Sequence, residues 1–317
     1  MTLPHIILDG SMQSESNTTA DALAKRVSSE TLVRRNELLA KRTTLRVGGP
    51  ADLYVEPASE EDLAAVLKFC AVQGIAFFVL GRGSNLLVRD AGFRGVVICL
   101  AHPQFSRIEI MGECLRCGAG ARLKSVAVEA KRHGLAGLEF LEGIPGGIGG
   151  ALRMNAGAMG SSLFEVVESV RLMDFNGVPH ERPPEEMAVD YRSCPSLKAH
   201  IALGAVLKGR PDTREAIAQR MTAFSQKRWS SQPAAPSAGC IFKNTPMIPA
   251  GRLIEELGLK GLRVGGAVVS AEHGNFIVND GAATARDVLE LIERIKHRAK
   301  AARGIELHTE VEIVGED

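Results

Sequence analysis

Leu63, Val66, Leu67 and Cys70 recur at helical spacing between Ser59 and Gly74, which predicts an amphipathic helix there. Ser59 and Asp62 stand at capping-box distance, and Gly74 can close the far end. The apolar run 75–80 then predicts a buried strand, GRGSN a break, LLV a second short strand and residues 96–100 another. Leu123, Val126, Ala127 and Ala130 predict a short helix ending at Gly134. Asn176-Gly177, between two strand-like runs, predicts a hairpin. A further strand is expected at 201–209, and a helix opening at Asp212 with Ile217, Met221 and Phe224 on one face. After a Pro/Ala/Ser segment come a helix near 250–257, strands near 263–278 and a helix from Thr284 to Gly304. The closing stretch 305–314 alternates apolar and polar residues and reads as one strand, with Glu306, His308, Glu310 and Glu312 on its polar face. Strands and helices mix without strict βαβ alternation, so an α+β fold is expected rather than a doubly wound sheet.

Composition adds bounds. The 317 residues are 45% hydrophobic, enough for a real core. With 38 basic and 37 acidic residues the net charge is +1, which argues against a general electrostatic grip on nucleic acid or anionic membrane. No segment approaches the ~20 consecutive apolar residues of a membrane helix. No secretory signal is visible, and the Ser/Thr/Asn-rich stretch at about 9–30 reads as part of a flexible leader. The six cysteines therefore read as reduced thiols of a cytoplasmic protein. Glycine is the unusual entry: 33 residues in all, 17 of them between Gly74 and Gly160. Such crowding serves tight turns or a backbone that approaches a ligand more closely than side chains would allow.

Three motif readings fail. Gly81-Arg82-Gly83 follows a strand, but Leu86 stands where a dinucleotide fingerprint needs its third glycine. GAGARLKS at 118–125 has Leu123 where a phosphate-binding loop needs glycine. Cys114-x-x-Cys117 has no second pair and no nearby histidine cluster, so no metal site is expected. What remains is the GRGSN turn and, sixty residues on, FLEGIPGGIGGALRMNAGAMG. Successive backbone amides in such turns can form an anion-binding nest suited to a pyrophosphate. Spacing alone equally allows that residues 143–160 merely make tight turns.

VLGRGSNLLVRDAGFRGVVI, EFLEGIPGGIGGALRMNAGAMG, DYRSC, PSAGCIFKN, HGNFIVN and LHTEVEIVG occur in an order that resembles the UDP-N-acetylenolpyruvoylglucosamine reductase family, across about residues 40–315. No insertion stands between DYRSC and PSAGC, as in the shorter (type II) of the family's two forms. The resemblance implies an FAD-binding region of the vanillyl-alcohol-oxidase-like type, split into two α+β subdomains, and a C-terminal α+β substrate domain. The corresponding boundaries are a leader at 1–36, FAD-binding subdomains at 37–101 and 102–211, and a substrate-binding domain at 212–317. It implies non-covalent FAD held by Gly81, Arg82, Gly83, Ser84 and Asn85 at the pyrophosphate. Gly143, Pro145, Gly146, Gly149, Gly150, Asn155 and Gly157 would cradle it from the other side, with Tyr54 near the flavin.

The implied reaction has NADPH reduce FAD, after which hydride passes to the enolpyruvyl double bond of a UDP-sugar in peptidoglycan precursor synthesis. Arg192 and Glu310 align with catalytic positions, and Tyr191, Lys243 and Asn244 with substrate-binding ones. Cys240 stands where most relatives have the proton-donating serine. A free thiol of pKa roughly 8.5 can serve as that acid, at the expected cost of sensitivity to alkylation. Taken alone, Arg192 could be a surface residue, Cys240 a small buried hydrophobe and Glu310 a solvated strand position. The partners implied are the UDP-sugar and NADPH, with no nucleic acid, membrane or obligate protein partner. Two other readings share the glycine loops: a different flavin oxidoreductase or oxidase on the same fold, and a non-catalytic FAD or nucleotide-sugar binding protein. A cysteine hydrolase is disfavoured, because no histidine stands beside Cys240 in sequence.

Overall fold

The computed structural model describes residues 18–317. Among the described residues, three sheets of four or five strands, each packed with helices over an apolar core, carry most of the chain beside three two-stranded ones. The mixed content is α+β as expected. The first sheet orders its strands Leu32–Leu38, Pro50–Glu56, Phe93–Cys99 and Phe77–Leu80; the first pair is antiparallel and the other pairings parallel. Against it packs the helix Glu60–Gln73, which buries Leu63, Val66, Leu67 and Cys70, the face its periodicity marks. Ser59 accepts from the Asp62 amide at its start, and Gly74 closes it in the left-handed region.

The leader expected over 1–36 is corrected for its described part. Residues 18–24 are helical, Ala20 and Leu23 are buried in the first core, and Leu32–Leu38 pairs with Pro50–Glu56. Ser and Thr here are hydrogen-bonding residues rather than disorder: Ser28 and Thr31 both donate to the buried Asp62. Residues 1–17, the rest of that expected leader, lie outside the described residues.

The second sheet is five-stranded and antiparallel, in the order Pro179–Arg182, Val167–Asp174, His200–Lys208, Cys114–Gly118, Ile108–Met111. The Asn176-Gly177 hairpin joins its first two strands, and Cys114 and Cys117 lie on one strand as free thiols. Helices Leu123–Arg132, Ile148–Arg153 and Arg214–Trp229 add buried residues to its core, including Ile217 and Met221 of the last. The third sheet, Ser237–Cys240, Phe276–Asn279, Ala267–Val269 and Arg263–Val264, packs with helices Ala250–Glu256 and Ala285–Arg303.

The last expected strand is shorter than its alternation suggests. Only Glu312–Val314 forms ladder, parallel to Leu86–Val88. Before it, single contacts replace a ladder: Thr309 bridges Phe242 alone, and the Glu310 amide donates to Ile241 O at 2.7 Å. Leu307 and Val311 are nonetheless buried, so alternation here records one buried face without a neighbouring strand along its length. The crossing to Leu86–Val88 lays the chain's end against the segment that follows GRGSN.

Candidate active site

A cavity of about 790 Å³ runs between the first two sheets, within the usual range for a ligand pocket of roughly 300–1,000 Å³. Its wall includes Arg42, Tyr54, Gly81, Arg82, Cys99, Gly149, Gly150 and Arg153. Gly81 and Gly150 are informative. A Cβ at either would meet no protein atom within 4 Å, so packing of the protein does not require glycine there. Both face a cradle that side chains would narrow. Gly83 differs: its φ is +61°, and a Cβ would fall 2.5 Å from Arg42 O. The amides of Arg82, Gly83 and Ser84 have no acceptor among the described residues. A turn offering free amides beside a long cavity fits an elongated diphosphate cofactor such as FAD.

The two glycine loops meet directly, as Ser84 Oγ donates to Pro145 O at 2.9 Å. Tyr54 is 1% exposed, and its hydroxyl donates to Glu56 at 2.7 Å. The Arg42 guanidinium lies 4.4 Å from its ring centroid. Burial first, then Cys99 and Glu56, pushes the Tyr54 phenol well up, so it stays a neutral donor. Gly143 ends the turn Glu139–Gly143, and its carbonyl accepts from Arg228. Asn155 and Gly157 are not among the cavity-lining residues. Their carbonyls instead accept from Arg192, at 3.4 and 3.2 Å.

Arg192, Cys240 and Glu310, 118 residues apart at the extremes of the sequence, come together. Arg192 sits in a turn closed by Asp190 and Ser193, with φ at +54°, a conformation costly for a side-chain-bearing residue. Its Nε lies 3.2 Å from Glu310 Oε1, both side chains largely buried. Burial pushes the Glu310 carboxyl up, and Arg192 and Lys243 only partly oppose it. Burial, reinforced by Glu310, pushes the Cys240 thiol up to about 12 against the weaker pull of Arg192 and a hydrogen bond from Asn275. That direction runs against the expected alkylation sensitivity and favours the protonated thiol.

Lys243 reaches the same group, its amide fixed on His308 O at 2.9 Å. Tyr191 is 52% exposed beside Arg192, its ring 5.2 Å from the guanidinium. Asn244 has a structural bond as well, since its Oδ1 accepts from the Ala250 amide at the start of the helix Ala250–Glu256. Sequence reasoning missed two supporting residues, Asn275 and Arg153, and a second role of Asn85. Asn275, within HGNFIVN, bonds both the amide and the carbonyl of Phe242. Asn85 donates from Nδ2 to Glu310 O at 3.0 Å, tying the GRGSN turn to the glutamate. Arg153, in GGALR, lines the cavity and pairs with Glu312 at 2.7 Å. A polar residue inside a quoted motif was the only signal available for each.

Comparisons with known proteins agree with this layout. Residues 51–181 match the FAD binding domain family, and residues 232–314 match the family described as UDP-N-acetylenolpyruvoylglucosamine reductase, C-terminal domain. The UDP-N-acetylenolpyruvoylglucosamine reductase of Bacillus licheniformis is 44% identical over 287 residues, 90% of this chain and 94% of that protein. That of Syntrophomonas wolfei is 42% identical over 287 residues, covering 90% and 96%. Among solved structures, the UDP-N-acetylenolpyruvylglucosamine reductase of Thermus caldophilus superposes with a TM-score of 0.78 at 42% identity, covering 89% of this chain and 99% of that one.

Proposed function

The chain belongs to the UDP-N-acetylenolpyruvoylglucosamine reductase family, and from that membership we propose which of its residues perform the reaction. The reaction is NADPH-dependent, FAD-mediated reduction of the enolpyruvyl group of UDP-N-acetylglucosamine enolpyruvate to UDP-N-acetylmuramate, in peptidoglycan precursor synthesis. Bound FAD supplies hydride transfer between the two substrates. Gly81 to Asn85 would hold its pyrophosphate, while Gly149, Gly150 and Tyr54 would line the cavity along it; the open Cβ directions at Gly81 and Gly150 support this.

The chemistry on the sugar side falls to Arg192, Cys240 and Glu310. A guanidinium fixed by two backbone carbonyls and one carboxylate can face the substrate carboxylate as its neighbouring carbon gains negative charge. Glu310, whose carboxyl burial pushes up against the pull of Arg192 and Lys243, would stand beside the reacting carbon as an acid–base group. Cys240 would deliver the proton to the carbon, and a thiol kept protonated by burial is ready to do so. Lys243, facing Glu310, and the exposed Tyr191 would contact the substrate.

The same reading sets a substrate domain after the two FAD-binding subdomains. Ile217 and Met221 pack in the second core, which supports moving the boundary from 211 to beyond Trp229. Among the described residues no helix is long and apolar enough to cross a membrane, and the nucleotide substrates support a cytoplasmic place for the enzyme.

The observation that carries the reading is the meeting of Arg192, Cys240 and Glu310 from three distant segments. Stopped-flow on Cys240→Ala tests it: flavin reduction by NADPH stays normal, and reoxidation by the enolpyruvyl UDP-sugar slows at least ~10²-fold. Unchanged reoxidation overturns the role of Cys240. Wild-type flavin that ignores the UDP-sugar but reoxidises rapidly in oxygen would favour an oxidase instead.

A further inference from the structure

Arg153 ends the helix Ile148–Arg153, the helix that carries Gly149 and Gly150 along the cavity wall. Its guanidinium makes two bonds at once. Nη1 donates to Leu197 O at 2.9 Å, in the segment following Arg192, and Nη2 donates to Glu312 Oε1 at 2.7 Å. The Arg153 carbonyl also accepts from the Cys194 amide at 3.0 Å, two residues from Arg192. One residue thus binds the cofactor-facing helix, the turn presenting Arg192 and the strand following Glu310.

Glu312 is the only side-chain anchor of that strand toward this helix among the described residues. The backbone before it is held by isolated bonds rather than a ladder: Glu310 N to Ile241 O, Asn85 Nδ2 to Glu310 O, and Glu312 N to Asn85 O at 3.1 Å. Leu307 and Val311 bury one face of this segment, but a group required to sit within 3.2 Å of Arg192 tolerates little displacement.

We propose that Arg153 is a positioning residue: through Leu197 and Glu312 it holds Arg192 and Glu310 in register with each other and with the FAD cavity. The inference rests on the proposed roles of those two residues. Glu312 does not line the cavity, so Glu312→Gln removes the charge that holds the latch without replacing any residue of the cavity wall. Both partners are more than a third exposed, so the expected effect is about fivefold.

The test uses the FAD-loaded enzyme and its apoprotein. Glu312→Gln binds FAD with a Kd within about threefold of wild type by fluorescence titration, and its flavin is reduced by NADPH at the wild-type rate. Its reoxidation by the enolpyruvyl UDP-sugar falls about fivefold in limiting rate rather than in half-saturation. Arg153→Met combined with Glu312→Gln is no slower than the slower single variant, and Arg153→Glu with Glu312→Arg recovers at least half of the lost rate. Wild-type reoxidation in Glu312→Gln, or strictly additive losses in the double variant, overturns the latch while leaving the roles of Arg192 and Glu310 intact. Failure of the wild-type enzyme to reoxidise with the UDP-sugar would instead overturn the functional reading itself.

Discussion

Arg192 Nε lies 3.2 Å from Glu310 Oε1, and the arginine that makes this contact holds its backbone at φ +54°. A left-handed conformation at a residue with a side chain costs on the order of 1 kcal/mol, which glycine would not incur. The side chain offsets part of that cost through the Asn155 and Gly157 carbonyls and Glu310, and a fixed guanidinium beside an acidic group is a means of stabilising developing charge. Arg192→Gly relieves the backbone strain but loses these bonds, so its melting temperature is expected to stay within a few degrees of wild type, while flavin reoxidation by the UDP-sugar falls ~10²–10³-fold. A melting temperature lowered beyond that range, with both half-reactions slowed equally, would make the ion pair a structural one.

Cys240 is expected to resist alkylation. With its thiol pushed up to about 12, chiefly by burial, the thiolate fraction at pH 8 is about 10³-fold below that of a free cysteine. Iodoacetamide labelling at pH 8, mapped by mass spectrometry, should leave Cys240 unmodified long after free cysteine has reacted. Labelling at the free-thiol rate would refute this. The reoxidation rate should likewise show no loss from thiol ionisation between pH 6 and 9.

Much of this was legible in the sequence because local rules and burial agreed. The helices Glu60–Gln73 and Ala285–Arg303 begin at Ser59 and Thr284 and end at Gly74 and Gly304, where capping chemistry places them. The failures have a common physical cause. Residues 18–31 carry few apolar groups, yet two of them, Ala20 and Leu23, are buried by a partner the sequence does not reveal. Residues 305–311 alternate as a strand does, but alternation reports one buried face and not whether a neighbour supplies hydrogen bonds. At the site, residue types pointed to Arg192, Cys240 and Glu310 only through the family motifs. The shift of Cys240 follows from burial and from Glu310, seventy residues away in the chain.

Gly83 and Gly150 should separate fold from cofactor binding. Gly83→Ala forces a Cβ to within 2.5 Å of Arg42 O in the left-handed region, and a loss of about 1–3 kcal/mol in stability is expected. Gly150→Ala meets no protein atom and lies within a helix, where alanine is favoured over glycine by about 1 kcal/mol. Its apoprotein should be at least as stable as wild type by urea denaturation, yet bind FAD at least about tenfold more weakly, as a methyl group intrudes on the cavity. Equal FAD affinity in Gly150→Ala would remove that helix from the cofactor's wall.

Asp62 offers a test of the N-terminal segment through pH. Burial by itself would push its carboxyl up, but donation from Ser28 N at 2.7 Å, Ser28 Oγ at 2.6 Å and Thr31 Oγ1 at 2.9 Å outweighs it, and the group is held below its ordinary 3.8. A carboxylate with a depressed folded pKa adds stability that is fully present above the unfolded value and is lost as pH falls through the folded one. Asp62→Asn keeps the shape but loses one acceptor oxygen, so the Ser28 amide on Oδ1 and the two hydroxyls on Oδ2 can no longer all donate to this side chain. At pH 7 the variant should be about 1–3 kcal/mol less stable by urea denaturation, and the gap should narrow steadily as pH falls below 4. A difference independent of pH would mean that Ala20 and Leu23, through their burial, hold residues 18–31 in place, and that the carboxylate does not.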